Sequence, residues 1–143
     1  LHDKCTILAC MPNFYKTSAA CLKASGTSDL FRKARAVYNS IVKSNRRMAY
    51  VRSRYFGGDK VFLDLFWAHL KQKNSAERQR RLMLYPCAIE LIRKTTCAPE
   101  SIHDSGNKYF RFFGTSSDGV NFAVQIKRNS KNQKYFMSVF PLK

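Results

Sequence analysis

The chain has 143 residues, 45% of them hydrophobic and 13% aromatic, and 26 Lys and Arg against nine acids leave a formal charge of +17. That size and apolar content fit one packed domain and exclude wholesale disorder. No apolar run approaches the roughly 20 residues of a bilayer-spanning helix, so the chain reads as soluble.

Leu1 in place of Met suggests an excised or processed fragment, although an arbitrary start looks the same. Residues 1–27 are rich in small side chains, and Pro12 and Gly26 bracket a possible short helix containing Phe14, Ala19, Ala20 and Leu22. Cys5, Cys10, Cys21, Cys87 and Cys97 include no CxxC pair and no histidine at zinc spacing, so no metal is expected. A reduced state is the default for such a set, with a disulfide inside the first 25 residues left open.

Thr27 or Ser28 can cap a long helix running to about Phe56. Its apolar stripe is Leu30, Ala34, Val37, Ile41, Met48, Val51 and Tyr55, and Gly57-Gly58 supplies the stop. Between Leu30 and Gly58 there are eight Lys or Arg and no acid. Such a field suits a polyanion, or an acidic partner protein. Val61-Phe62-Leu63 reads as a short strand, and Asp64 as the cap of a helix with Phe66, Trp67 and Leu70. Asn74 and Glu77 have capping-box spacing before another helix. Pro86 suits the first turn of a further helix with Cys87, Ala88, Leu91 and Ile92 on its apolar face. Arg78, Arg80, Arg81 and Arg93 form a second basic region, and Cys97-Ala98-Pro99 ends the helical part.

From Lys108 the pattern changes to alternation. Tyr109–Phe113, Val120–Lys127 and Tyr135–Phe140 read as three strands of an antiparallel meander. The expected fold is α+β: N-terminal helices packed on a small C-terminal antiparallel sheet. The chain divides at residue 56 into an N-terminal helical region (1–56) and an α+β core (57–143), read together as one compact unit.

Register can be argued from the turns. Ser117-Asp118-Gly119 suits a three-residue loop with Gly119 in the left-handed position. It pairs Ser116 with Val120, Phe113 with Ala123, Arg111 with Gln125 and Tyr109 with Lys127. A two-residue loop would mix polar and apolar faces, because a one-residue slip turns every side chain over. Requiring apolar partners to share a face pairs Val124 with Val139, Ile126 with Met137, Gln125 with Ser138 and Lys127 with Phe136. One face is then core, with Phe110, Phe112, Phe122, Val124, Ile126, Met137 and Val139. The other carries Arg111, Gln125, Lys127 and Ser138 among Tyr109, Phe113, Phe136 and Phe140. Cations and amide donors framed by rings suit a phosphodiester beside an unstacked base. A solvated sheet surface, or a face covered by the long helix, is the competing reading.

Cleaving RNA without a metal needs a base for the 2′-hydroxyl, cations for the phosphorane and an acid for the leaving 5′-oxygen. Arg111 and Lys127 can supply charge, and Gln125 and Ser138 hydrogen bonds. His103, in the loop before the first strand, is the leading proton carrier. His69, beside Trp67 and Leu70, reads as structural, and His2 as incidental. No acidic pair suits a two-metal nuclease, and there is no phosphate-binding loop or nucleophile elbow.

Arg80-Arg81-Leu82 followed by Tyr85-Pro86-Cys87-Ala88-Ile89-Glu90-Leu91-Ile92-Arg93, and then Phe110-Arg111-Phe112, Asp118-Gly119, Val124-Gln125-Ile126-Lys127 and Phe136-Met137-Ser138-Val139-Phe140-Pro141, resemble the prophage-associated branch of the barnase–EndoU–colicin–RelE nuclease superfamily. The resemblance covers roughly residues 57–141. It implies helices on a small antiparallel sheet and a metal-independent ribonuclease, with no cofactor, that serves as a bacterial toxin tip. It also implies neutralisation by a dedicated immunity protein. Carried over by position, it favours Arg111, Gln125, Lys127 and Ser138, with Arg80 and Arg81 toward the substrate. The expected function is therefore an exported ribonuclease toxin that cuts RNA, including tRNA, in the target-cell cytoplasm. The alternatives are a noncatalytic nucleic-acid-binding module of a phage or mobile element, and a protein-interaction domain for an acidic partner.

Overall fold

The computed structural model describes residues 13–143. Leu1, His2, Cys5 and Cys10 lie outside them; Cys21, Cys87 and Cys97 form no disulfide with one another. In chain order the elements are β1 (Phe14–Lys16), α1 (Thr27–Ser44), β2 (Tyr50–Ser53), β3 (Asp59–Phe62), α2 (Asp64–Leu70), α3 (Ser75–Met83), α4 (Tyr85–Lys94), β4 (Glu100–Asp104), β5 (Asn107–Thr115), β6 (Asn121–Arg128) and β7 (Lys134–Pro141). No helix among the described residues is long and apolar enough to cross a membrane.

The expectation of a small antiparallel sheet is overturned. The sheet has seven strands in the order β1-β5-β6-β7-β3-β2, with β4 also paired to β5. It is mixed, because β1 runs parallel to β5 and β3 parallel to β7. The three-strand meander is only its centre. Of the additional strands, β3 matches the short strand read at Val61-Phe62-Leu63, while β1, β2 and β4 come from segments read from sequence as helix or loop.

The long helix predicted to Phe56 stops at Ser44. Its apolar spacing holds through Leu30, Ala34 and Ile41, which are buried, but the next turn offers only Ser44 and Asn45. Asn45 turns its Nδ2 onto the Tyr50 carbonyl at 2.7 Å, and Arg46 and Arg47 take φ of 56° and 71°. Left-handed backbone at two successive non-glycine residues ends a right-handed helix. Tyr50–Ser53 then alternates outward and inward as β2 and pairs with β3 across residue 56.

The short helix expected near Phe14 is instead strand β1. Glu90 on α4 fixes this segment by accepting hydrogen bonds from the Tyr15 hydroxyl (3.0 Å) and from the Ser18 and Ala19 amides (2.8 and 2.9 Å). That carboxylate and the desolvation around Tyr15 hold the phenol above its ordinary pKa, desolvation being the larger cause.

The caps read at Thr27 or Ser28 and at Asp64 do not form, Gly26 and Leu63 taking the N-cap positions with no side-chain cap bond. Other local readings hold. Asn74 caps α3 by accepting the Glu77 amide at 2.9 Å, and Pro86 sits in the first turn of α4. Gly119 has φ of 91°, and its amide meets the Ser116 carbonyl at 3.0 Å in the three-residue loop. Asp118 accepts from the Ser116 hydroxyl and the Cys21 amide, and these bonds depress its pKa. The core lies between the helices and one sheet face, where Leu91, Phe112, Phe122, Val124, Ile126 and Val139 are sealed from solvent.

Candidate nucleic-acid interface

The β5–β6 register is as argued from the loop: Arg111 pairs with Gln125 and Tyr109 with Lys127. Across β7, Gln125 pairs with Ser138 and Val124 with Val139. Below that point a bulge between Gln125 and Ile126 changes the alignment, so Ile126 meets Phe136 and Lys127 meets Tyr135. Two expectations fall with it. Phe136 is fully buried and stacks on Phe66 with centroids 4.8 Å apart, so it cannot meet a ligand. Met137, expected in the core, lines the outer face.

The correction has a physical cause. Phe136 and Val139 are both large and buried, yet three residues apart they cannot share one face of a regular strand. An extra residue in β7 resolves the conflict and turns Met137 outward.

Strand β4 adds what the meander lacked. Glu100 pairs with Arg111 and Ile102 with Tyr109. Four neighbouring strands therefore align Glu100, Arg111, Gln125 and Ser138 on one rung of the outer face. A cleft of about 470 Å³ opens over this rung, lined by Glu100, Ser101, Ile102, Tyr109, Arg111, Gln125 and Met137. Arg111 is exposed and forms no ion pair among the described residues. Its guanidinium lies 5.5 Å from the centroid of the Phe140 ring, a cation–π contact that orients it without using its donors.

Sequence reasoning missed Glu100, because a fully exposed β4 shows no apolar alternation. The available signal was the turn. Ser105 and Gly106 take φ of 51° and 83°, as the two central residues of a hairpin turn that Ser-Gly favours.

The same strand removes His103 from the site. It pairs with Lys108, one position off Tyr109, and so projects from the opposite face. There it lines a separate basic hollow with Lys108 and Arg128. It cannot exchange protons at the Arg111 rung. His69, on α2, lies outside the cleft as well.

The remaining expected residues divide. Ser138 is on the rung, but Arg81 from α3 donates to its hydroxyl and, at 3.4 Å, to the Val139 carbonyl. Since β3 pairs with β7 only at Lys134 and Tyr135, the upper edge of β7 is open for Arg81 to reach over. Arg81 also lies 5.6 Å from the Phe140 centroid, with Nε buried and unpartnered. Arg80 is bound to Glu77 at 2.6 Å on the exposed side of α3 and does not join the rung. Lys127 is half-buried one step along β6, beside Tyr109. Phe113 is nearly buried, and Phe14 packs on it with centroids 5.5 Å apart, so only Tyr109 and Phe140 remain as rings by the site.

A larger hollow of about 800 Å³ between α1 and the α2–α3 pair is lined by Phe31, Arg35, Trp67 and Arg78. Two of its three cations are already engaged: Arg35 stacks on Tyr38 and Trp67, and Arg78 donates to the carbonyl of the third, Lys71. Among the described residues, no three His, Cys, Asp or Glu gather as a metal cluster. Neither a family model nor a curated protein nor a solved structure matches this chain.

Proposed function

We propose that the β4–β7 cleft binds RNA and cleaves it without a metal, by attack of a ribose 2′-hydroxyl on the adjacent phosphodiester. The observation that carries this reading is the rung itself: a carboxylate, a guanidinium with no ion pair among the described residues, and a carboxamide side by side on an open face. Glu100 takes the 2′-hydroxyl proton, and the 2′-oxygen bonds to phosphorus. Arg111 and Gln125 hold the nonbridging oxygens as negative charge grows, with Lys127 adding positive potential. The bond to the 5′-oxygen breaks, that oxygen takes a proton from water, and the hydroxide left behind takes back the proton held by Glu100. The products are a 2′,3′-cyclic phosphate and a 5′-hydroxyl. The charge of +17 supports a toxin setting in which an acidic immunity protein covers this face.

Purified protein incubated with total RNA, with and without EDTA, tests the proposal. Equal cleavage in both, with cyclic phosphate ends, is expected. Glu100→Gln should lower the rate by about a hundredfold or more, as loss of a general base does.

A second reading, noncatalytic RNA binding, is favoured by two observations: Arg81 occupies the Ser138 hydroxyl, and no histidine among the described residues reaches the rung. Salt-sensitive binding with intact RNA after long incubation would select it.

A further inference from the structure

The rung next to the proposed catalytic one runs much further. Ile102 pairs with Tyr109, Tyr109 with Lys127 and Lys127 with Tyr135. Tyr135 pairs with Phe62, and Phe62 with Tyr50. Paired residues in a ladder point to the same side, so these six side chains form one continuous row from edge strand β4 to edge strand β2. The rings at the β2 end contact one another, with centroids 5.8 Å apart for Phe62–Tyr135 and 6.3 Å for Tyr50–Phe62. The row is only half-buried, except for Ile102, which is 67% exposed. The helices pack on the opposite side, against Val51, Val61, Val124 and Val139.

Cations accompany the rings. Lys60 Nζ lies 4.8 Å from the Tyr50 centroid and the Arg52 guanidinium 5.7 Å from it. Asp59, the nearest acid in β3, pairs with buried Ser53 and binds buried Lys134 at 2.8 Å, so it lies on the core side. Glu100 and Asp104, both on β4, are thus the two carboxylates that the strands β2 to β7 place on this face, against Arg52, Lys60, Lys127 and Arg111.

Cross-strand aromatic pairs stabilise sheets, and that accounts for Tyr50 against Phe62. It does not account for three half-open rings beside Lys60 and Arg52 on a face that no helix of the described residues covers. Neither cation forms an ion pair among the described residues, though Arg52 donates to the Gly58 carbonyl at 3.0 Å. Flat rings with interspersed positive charge match a chain of unstacked bases on a phosphate backbone. A duplex hides its base faces and would gain only the charge.

We infer that this row is a track for single-stranded RNA leading from the cleft to β2, so that the preferred substrate is an unpaired segment. The inference rests on the cleft being an RNA site. Five inter-strand steps of about 4.8 Å make the track roughly 24 Å long. That is room for about four nucleotides or more, the scale of other small stacking platforms.

Fluorescence anisotropy with 2′-O-methyl oligouridylates, which lack the attacking hydroxyl, isolates binding from cleavage. Affinity should rise steeply from dinucleotide to octanucleotide and exceed that for a duplex of equal length. Tyr50→Ala should weaken the octanucleotide about tenfold and leave the dinucleotide unchanged, while Tyr50→Phe restores binding. Wild-type affinity of Tyr50→Ala for the octanucleotide, or an equal loss on duplex RNA, overturns the track. Length-dependent binding with no cleaved product keeps the track and sinks the nuclease reading. Normal cleavage with unchanged Tyr50→Ala binding does the reverse.

Discussion

Replacing Arg111 by alanine separates a functional role from a structural one. The side chain is exposed, forms no ion pair among the described residues, and has the Phe140 ring as its one aromatic contact. An exposed cation–π contact contributes about 0.5–1 kcal/mol, so the melting temperature should fall by only a few degrees. Losing a donor that holds the developing phosphorane charge costs far more, about 2.7–4 kcal/mol, or roughly a hundredfold to a thousandfold in rate. The assay is initial-rate cleavage of end-labelled single-stranded RNA, with thermal melts on the same preparations. Arg111→Lys keeps the charge but not the planar fork, and should fall between wild type and alanine. His103→Ala, altered on the other face, should cleave normally. An Arg111→Ala protein that cleaves within a factor of about three of wild type refutes the reasoning, since a lost donor at the phosphorane costs far more than that. So does an inactive His103→Ala protein that melts normally.

Two further expectations concern what holds the face in place. A β-carbon on Gly114 would lie 2.6 Å from Phe122 Cζ and 2.8 Å from Leu91 Cδ1, so Gly114→Ala should cost about 1–3 kcal/mol. A thermal melt should show the loss, and an unchanged midpoint would mean that α4 is not packed on β5 as described. Glu90→Gln replaces a carboxylate that accepts three hydrogen bonds with an amide that turns donors toward donors. Urea unfolding should show a loss of about 2 kcal/mol, and protection of the β1 amides should fall with it.

How much of this was legible in the sequence varies with the kind of signal. The β5–β6 register was readable because a three-residue loop ending in glycine fixes alignment, and the face pattern allows no slip. The β6–β7 register was readable only above the bulge. Pairing Ile126 with Met137 satisfied binary patterning as well as pairing it with Phe136 did. What decides between them is the place Phe136 finds against Phe66 on α2, which is a tertiary fact. Strand β2 was obscured because Val51 and Tyr55 continued a helical stripe, although Ser44 and Asn45 had already broken it, whereas β3 was legible in Val61-Phe62-Leu63. Strand β4 lacks hydrophobic patterning altogether, and its partner β5 supplies the template.

The strand that hydropathy could not show is the one that supplies the carboxylate of the proposed site. An exposed edge strand is under little pressure to be apolar, so its outward positions are free for functional groups. Here they hold Glu100 beside Arg111 and Ile102 beside Tyr109, while the alternate position turns His103 away. Choosing a proton carrier by residue type favoured histidine; the ladder favours a carboxylate. The distinction is a matter of strand parity: in a sheet, a residue one position from the correct rung is on the wrong side of the molecule. Arg81 makes the complementary point, because no strand pattern could place a helix residue on the rung. It arrives only because β3 ends early and leaves the upper edge of β7 uncovered. The chemistry of this face therefore follows from where strands begin and end as much as from which residues they carry.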